Sequence, residues 1–393
     1  LTGYHRYGAT FLLQQNGASL AETLDEIRPL LRLICEQLAL NAGQGAEHRQ
    51  QAANLYEKMC NSVEKSGFFL NARKEKVAAL SVTEDFTAAE QGMLLGHPFH
   101  VTSKASMGFS EEDMKRYSPE LGTSFRLHYF AVAPELVRTL SSGADVSQLL
   151  DPAARQEAAR LLGARAGRYQ LVPCHPWQAN FLLEQPEVRQ KLEQELIISL
   201  GPLGQVVWPT SSVRTVWMPE SRLFLKLSLD VRITNFIRNN PPEQMIRSID
   251  ASRLLRQLTP EETDDALCLL LELAAQTLEL AGLEAAFGII YRAGLEDEAL
   301  EQTRILGSLV EECPMTGALP LGHYVRQAAE LAGKDITAAF VADWWRQYTN
   351  ASLLPALKLF ATTGISLEAH LQNSLMRFRQ GTPVQLVVRD MEG

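Results

Sequence analysis

The stretch SSVRTVWMPESRLFLKLSLDVRITNFIR, Ser211 to Arg238, decides the fold class. Val213 to Met218 and Leu223 to Leu229 are short and β-prone, and Met218-Pro219-Glu220-Ser221 between them reads as a turn. The spacing predicts a hairpin. Counting outward from the turn puts Arg214 and Lys226 nearly opposite, to within one residue of register. Like charges facing each other destabilise a sheet. The pair makes chemical sense if a polyanion lies between them, with the hydroxyls of Ser212 and Thr215 adding hydrogen bonds to phosphate oxygens. The competing reading is the solvated outer face of an ordinary hairpin. Beyond Lys226, a helical turn near Ile233 would put Thr234 and Arg238 on one face, while Val231, Ile233 and Phe236 pack inward. Arg238 then offers a planar fork to a carboxylate or phosphate. A surface ion pair is the alternative.

Strands are also expected at Tyr169 to Val172, Gln205 to Trp208 and Phe287 to Tyr291, and two more flank Gly381-Thr382-Pro383. The first third reads as mainly helical. Ser19 and Glu22 form a capping box, Leu20, Leu24, Ile27, Leu31 and Ile34 recur at helical spacing, and a second helix covers Ala46 to Ser66. Asp151-Pro152 opens another helix. Thr259-Pro260-Glu261-Glu262 reads as the start of a long helix reaching about Ala281, and shorter helices are expected at Tyr324 to Leu331 and Ile336 to Tyr348. Helices and strands mix without βαβ alternation, so the class is α+β.

Ile365 to Gln372 alternates strictly between apolar and polar residues. As a strand it would line one surface with Glu368, His370 and Gln372, and Asn373 follows. The last hairpin can bring Asp390 back beside Glu368 and Asn373. Two carboxylates and an amide oxygen suit Mg2+, a hard cation that keeps waters and phosphates in its shell. A half-exposed strand meeting water is the plainer reading. Gly96-His97-Pro98-Phe99-His100, followed by Lys104, reads as a loop whose His and Lys side chains can reach a phosphate. Zinc fits less well, because no Cys or third His lies nearby. Cys174-His175-Pro176-Trp177-Gln178 closes a strand, and His175 reads as scaffold.

The chain has 393 residues, 46% of them hydrophobic and 21% charged, and a net charge of -9. That balance argues against nucleic acid as the main partner. The five cysteines are scattered, with no CxxC pair, which fits a reducing cytosol. No apolar run approaches a membrane span. The chain starts at Leu1 and stops at Gly393 directly after a chemical motif, so a fragment of a longer protein is expected.

The segments GHPFHVTSK with its following GF, CHPWQ, SSVRT, KLSLDVRITNFIR, EAHLQNSL and VVRDMEG occur in order from Gly96 to Gly393. Together they resemble the IucA/IucC family, the NRPS-independent siderophore synthetases. The similarity is greatest to the citrate-activating achromobactin synthetase branch. The resemblance implies a cupped hand, truncated at both ends. Residues 1–165 would form a helical thumb-like region that includes the GHPFH loop. Residues 166–295 would form a β-rich, fingers-like nucleotide-binding region, and residues 296–393 the start of the palm. It implies that His97, His100, Lys104, Ser212, Arg214, Thr215 and Lys226 contact ATP, and that Glu368, Asn373 and Asp390 hold Mg2+. Thr234, Asn235, Arg238, His370 and Gln372 would surround the acid, with Arg238 and His370 holding it in line for reaction. Val101 stands where the family loop usually has a second Pro, and Ala105-Ser106 where an Arg is common. The implied enzyme adenylates a carboxylic acid, citrate foremost, and condenses it with an amine or alcohol. A cytoplasmic homodimer without nucleic-acid or membrane partners is expected. The alternatives are a kinase-like phosphotransferase, which Lys226 and Asp390-x-x-Gly loosely echo, and a non-catalytic carboxylate- or siderophore-binding module.

Overall fold

The structure, a computed structural model, describes residues 11–13, 22–24, 26–43, 45–80, 83, 85–97, 100–259 and 264–391. Near the N-terminus β1 (Phe11–Leu13) pairs with β2 (Glu22–Leu24). Helix α1 (Ile27–Ala42) starts after Leu24, which belongs to β2, and Ser19 of the expected capping box lies outside the described residues. Pro29 sits in the first turn of α1, where backbone N–H groups have no helical partner to lose. Helix α2 (Ala46–Ala72) runs past the expected end at Ser66 and packs on α1.

The chain then lays down β3 (Ser106–Met107), β4 (Phe125–Val132), β5 (Val137–Ser141), β6 (Gln170–Cys174) and β7 (Ile197–Pro209). The expected hairpin is β8 (Thr215–Met218) and β9 (Leu223–Leu227), followed by β10 (Leu229–Ile233) and β11 (Phe236–Arg238). Next come β12 (Leu267–Leu270), β13 (Glu272–Leu278), β14 (Ile289–Ala293) and β15 (Thr303–Ile305). The closing hairpin is β16 (Ser374–Arg379) and β17 (Thr382–Arg389). Three larger sheets result, with orders β5-β13-β14-β9-β8-β7-β4-β6, β12-β17-β16-β15 and β11-β10-β3.

One face of the eight-stranded sheet buries Tyr129, Val207, Leu225 and Tyr291 against the helices Pro152–Leu162 and Pro176–Leu183. Asp151 caps the first of these helices as expected, accepting from Ala153 N at 3.0 Å. The other face presents Trp217 and Phe224 to Leu270, Ile305, Leu375 and Val387, which joins the large sheet to the four-stranded one. All five residues of β9 are buried, so Lys226 is carried into the interior at this joint.

Three expectations are corrected. The long helix from Thr259 to Ala281 is instead β12 and β13, and residues 260–263 of its start lie outside the described residues. Leu267 to Ala275 is a nearly continuous apolar run, the pattern of strands covered on both faces. β12 pairs parallel to β17, and β13 lies between β5 and β14. The strand at Ile365 to Gln372 is an irregular segment. Its alternation survives as half-buried Ile365 and Leu367 beside exposed Ser366 and Glu368, but tight turns take up its backbone, with Asn373 N and Ser374 N donating to His370 O. The helical turn near Ile233 is the β10–β11 hairpin, with Ile233 opposite Phe236, and Phe236 is exposed instead of packed inward.

Candidate active site

β8 and β9 pair with Thr215 opposite Lys226, and Leu227 N donates to Arg214 O at 3.0 Å. The expected register is therefore met to within one residue. Both cations bear on Asp390, Lys226 by direct contact and Arg214 through its charge. Lys226 Nζ donates to Asp390 Oδ1 and Oδ2 at 2.7 and 2.9 Å. Arg214 Nη1 donates to Arg238 O, Asn239 O and Asn240 Oδ1 at 2.8–2.9 Å. Asn240 is itself held by Lys226 O and Gly288 O, both at 2.9 Å. A Cβ on Gly288 would fall 2.4 Å from Asn240 O, so only glycine permits that approach.

Asp390 is the centre of a buried charge network. Arg292 Nη2 lies 3.2 Å from its carboxylate, and Arg292 Nε donates to Glu272 at 2.8 Å. Burial alone would raise the Asp390 pKa, but Arg292 and Lys226 outweigh it and hold the group well below the usual carboxylate range. Sequence reading missed Arg292 and Glu272. Their signal was a single charged residue inside each of two mainly apolar strands.

The closing hairpin does bring Asn373 beside Asp390, since Arg389 N donates to Asn373 O at 2.9 Å. Asn373 Nδ2 reaches the Glu368 carbonyl at 3.4 Å, while the Glu368 side chain is exposed. Arg389 forms a buried pair with Glu90 at 2.6 Å and donates to Gln372 O at 3.0 Å. Glu90 also accepts from Ser211 N and Oγ at 3.1 and 2.9 Å. Gln372 Nε2 lies 3.4 Å from Ser211 O. Ser212 Oγ accepts from Thr215 N at 3.1 Å.

Thr234 and Arg238 meet as expected, though across a hairpin turn: Arg238 Nη2 donates to Thr234 Oγ1 and Ile233 O, both at 3.0 Å. Burial lowers the Arg238 pKa from its ordinary value. Asn235 Oδ1 accepts from Lys58 of α2 at 3.2 Å. Val213 and Thr234 have φ of 66° and 57°, in the left-handed region that β-branched residues avoid, and Asp390, of a type that tolerates it, has φ of 71°. Such strain, in two loops of one neighbourhood, is what functional sites store.

His97 is half-buried. Burial, with His370 and then His100 nearby, pushes its imidazole below the ordinary value. His370 Nδ1 accepts from Gln372 N at 3.1 Å, and His100 Nδ1 from Thr102 N at 3.2 Å. Pro98 and Phe99 lie outside the described residues. The side chain of Lys104 is buried and donates to Glu120 at 2.7 Å and to Met93 O, so it braces the loop. The loop is further fixed by Glu311, which accepts from Leu94 N, Leu95 N and Gly96 N at 2.7–3.1 Å. His175 is scaffold: it caps the helix Pro176–Leu183 through Nδ1, and burial pushes it down to about 3.

A family model described as "IucA / IucC family" matches residues 85–311, and one described as "Ferric iron reductase FhuF-like transporter" matches residues 342–393. The chain is 34% identical over 403 residues to the L-2,3-diaminopropanoate–citrate ligase of Staphylococcus aureus, covering 100% of this chain and 67% of that protein. It is 28% identical over 406 residues to the spermidine-citrate ligase of Bacillus anthracis, covering 100% of this chain and 66% of that one. The chain thus spans about two thirds of the length of these relatives. It superimposes on the ATP-bound aerobactin synthetase IucA from a hypervirulent pathotype of Klebsiella pneumoniae with a TM-score of 0.84 at 28% identity, covering 96% of this chain and 68% of that one. Among the described residues no helix is long and apolar enough to cross a membrane.

Proposed function

We propose, from the premise that this chain belongs to the IucA/IucC family, that it adenylates a carboxylic acid, citrate foremost, and joins the acyl group to an amine or alcohol. The observation that carries this reading is the meeting of Lys226, Arg292 and Asp390 at the joint of two sheets, with Arg214 bound to the carbonyl of Arg238. A carboxylate attacking the α-phosphate of ATP is anion meeting anion. Preorganised cations offset that repulsion and the charge growing on pyrophosphate.

In this reading Arg214, Lys226, Ser212 and Thr215 face the phosphates. Burial biases His97 towards its neutral form, which offers the phosphates a hydrogen bond. Arg238, Thr234, His370 and Gln372 hold the acid. Its carboxylate oxygen attacks the α-phosphorus, and the bond from that phosphorus to pyrophosphate breaks. The nitrogen or hydroxyl oxygen of the second substrate then attacks the acyl carbon and loses its proton, and the bond to AMP breaks. Asn373 and Asp390, with Glu368 near them, offer the hard oxygen donors that suit Mg2+, and Asp390 is kept ionised. No three acidic or histidine side chains cluster as a metal site among the described residues, so these donors fit an ion that takes further oxygens from phosphate and water. When bound, Mg2+ supplies charge neutralisation on the polyphosphate.

The test is citrate-dependent release of pyrophosphate and AMP by the full-length protein. ADP as the product would replace this reading with the phosphotransferase. Failure to bind ATP would favour the non-catalytic module.

A further inference from the structure

Helix α2 contributes a wall to a cleft of about 440 Å³ on the far side of the 234–235 turn. Gln51, Asn54 and Lys58 of α2 line it together with His100, Thr102 and Asn235. Two of these, His100 and Asn235, are residues already assigned to the adenylation site. Asn235 adjoins Thr234, which Arg238 grips at 3.0 Å. The cleft therefore opens beside the place where an acyl-adenylate would sit.

Its chemistry is lopsided. Among the described residues lining it there is one full cation, Lys58, there are three amide side chains, and there is no carboxylate. An ammonium has three donors, and Asn235 Oδ1 takes one of them at 3.2 Å. Glu47 stands one turn back on α2 and accepts from Gln51 Nε2 at 3.2 Å. Val101, the departure from the family loop pattern, also lines the cleft and is 71% exposed. A polyamine entering here would bring cations towards Lys58 with no acid in the wall to receive them. A nucleophile that carries its own carboxylate would find a charge-assisted donor in Lys58 and amides for its remaining polar atoms.

Resting on the ligase reading above, we propose that this cleft is the second-substrate subsite. It selects an amine or alcohol that bears a carboxylate, an amino-acid type of nucleophile, over a polyamine, and Lys58 is the specificity-determining residue. The reactive nitrogen or oxygen points towards the Thr234–Arg238 side and the carboxylate towards Lys58.

The experiment uses full-length protein with citrate and ATP. It compares matched nucleophiles with and without the carboxylate: 2,3-diaminopropanoate against ethylenediamine, serine against ethanolamine, and spermidine alongside. Citrate-dependent ATP–pyrophosphate exchange is recorded first, without nucleophile. In the wild type the carboxylate-bearing member of each pair should have the higher kcat/KM. Lys58→Gln should shrink that ratio about tenfold or more, the size expected for losing a charge-assisted hydrogen bond, chiefly through KM of the nucleophile. Lys58→Arg should keep most of the ratio, which a purely structural role of the side chain would not predict. A wild type that prefers spermidine or the carboxylate-free partners overturns the proposal, and so does an unchanged ratio in Lys58→Gln. Absence of exchange overturns the ligase reading and this proposal with it, whereas exchange with an unmoved ratio overturns this proposal alone.

Discussion

At the scale of single residues, Glu311 stands between two opposed forces. Burial pushes its carboxyl up to about 6, against Lys104 and three backbone N–H groups that favour the charged form. The outcome has a sign. The folded chain holds a proton that the unfolded chain releases between the ordinary value of 4.5 and about 6. Stability therefore falls as pH rises through that window, by about 2 kcal/mol in all. Glu311→Gln has no proton to lose, so its Tm should gain on that of the wild type as pH rises from about 4.5 to 6. Thermal melts of both proteins across that range are the check, and parallel profiles would refute the assignment. The same contacts give Glu311 a mechanical task. Its three acceptor bonds end at Gly96, whose φ of 80° and close neighbours Lys104 and Ser103 turn the chain towards His97.

At the scale of elements, the β10–β11 hairpin clarifies what could be read from sequence. The Thr234–Arg238 contact was legible because helix and tight hairpin both bring residues four apart together. The element itself was not, since a short apolar-polar run has no decisive period. The β8–β9 register was legible from its turn, but its meaning was not. Two facing cations implied a shared anion; within the chain Asp390, 164 positions from Lys226 in sequence, meets Lys226 directly and feels the charge of Arg214, whose guanidinium is also held by three oxygens of Arg238, Asn239 and Asn240. Pairings of that range leave no local trace. The helix expected over Thr259 to Ala281 failed for a related reason: an apolar run buried on both faces looks alike in either state. Two outcomes follow for variants. Arg214→Ala should lower stability, because its oxygen partners lose their donor and Asp390 loses a nearby cation, which outweighs any relief of repulsion with Lys226. Urea unfolding measures this, and an unchanged midpoint would contradict it. Arg238→Lys keeps the charge but loses the planar fork. It should cost about 1.5–3 kcal/mol in citrate kcat/KM, roughly ten- to a hundredfold, with ATP affinity changed far less. Pyrophosphate release with citrate varied at saturating ATP decides it, and an effect carried wholly by ATP affinity would remove Arg238 from the acid.

At the scale of the whole molecule, the site depends on how the eight-stranded and four-stranded sheets are locked together. Apolar packing of Trp217 and Phe224 on Leu375 and Val387 supplies area but little register. Register comes from buried polar links across the joint: Lys226 and Arg292 on Asp390, and Glu90 with Arg389, a pair 299 positions apart in sequence. Glu90 lies in the helix Phe86–Gln91 and holds Ser211 of the loop that leads to Arg214. Arg389 adjoins Asp390 and holds the carbonyl of Gln372. One ion pair therefore fixes three segments of the proposed nucleotide site relative to one another. Removing only one partner strands a buried charge, so Arg389→Met should destabilise by about 3–5 kcal/mol. Replacing both, as Glu90→Leu with Arg389→Met, removes that stranded charge and should recover much of the loss, because well-packed apolar groups often match a buried pair in stability. ATP affinity should not recover with it. Ser211 would still lack its acceptor and Gln372 its donor, so the loop before Arg214 and the turn before Asn373 would drift apart. The two readouts, urea unfolding and calorimetric ATP titration, should therefore separate in the double variant: near-native stability with weakened nucleotide binding. If the double variant bound ATP as the wild type does, the Glu90–Arg389 pair would be a stabilising element alone, and the alignment of the two sheets would have to come from the apolar joint and the Lys226 and Arg292 contacts to Asp390.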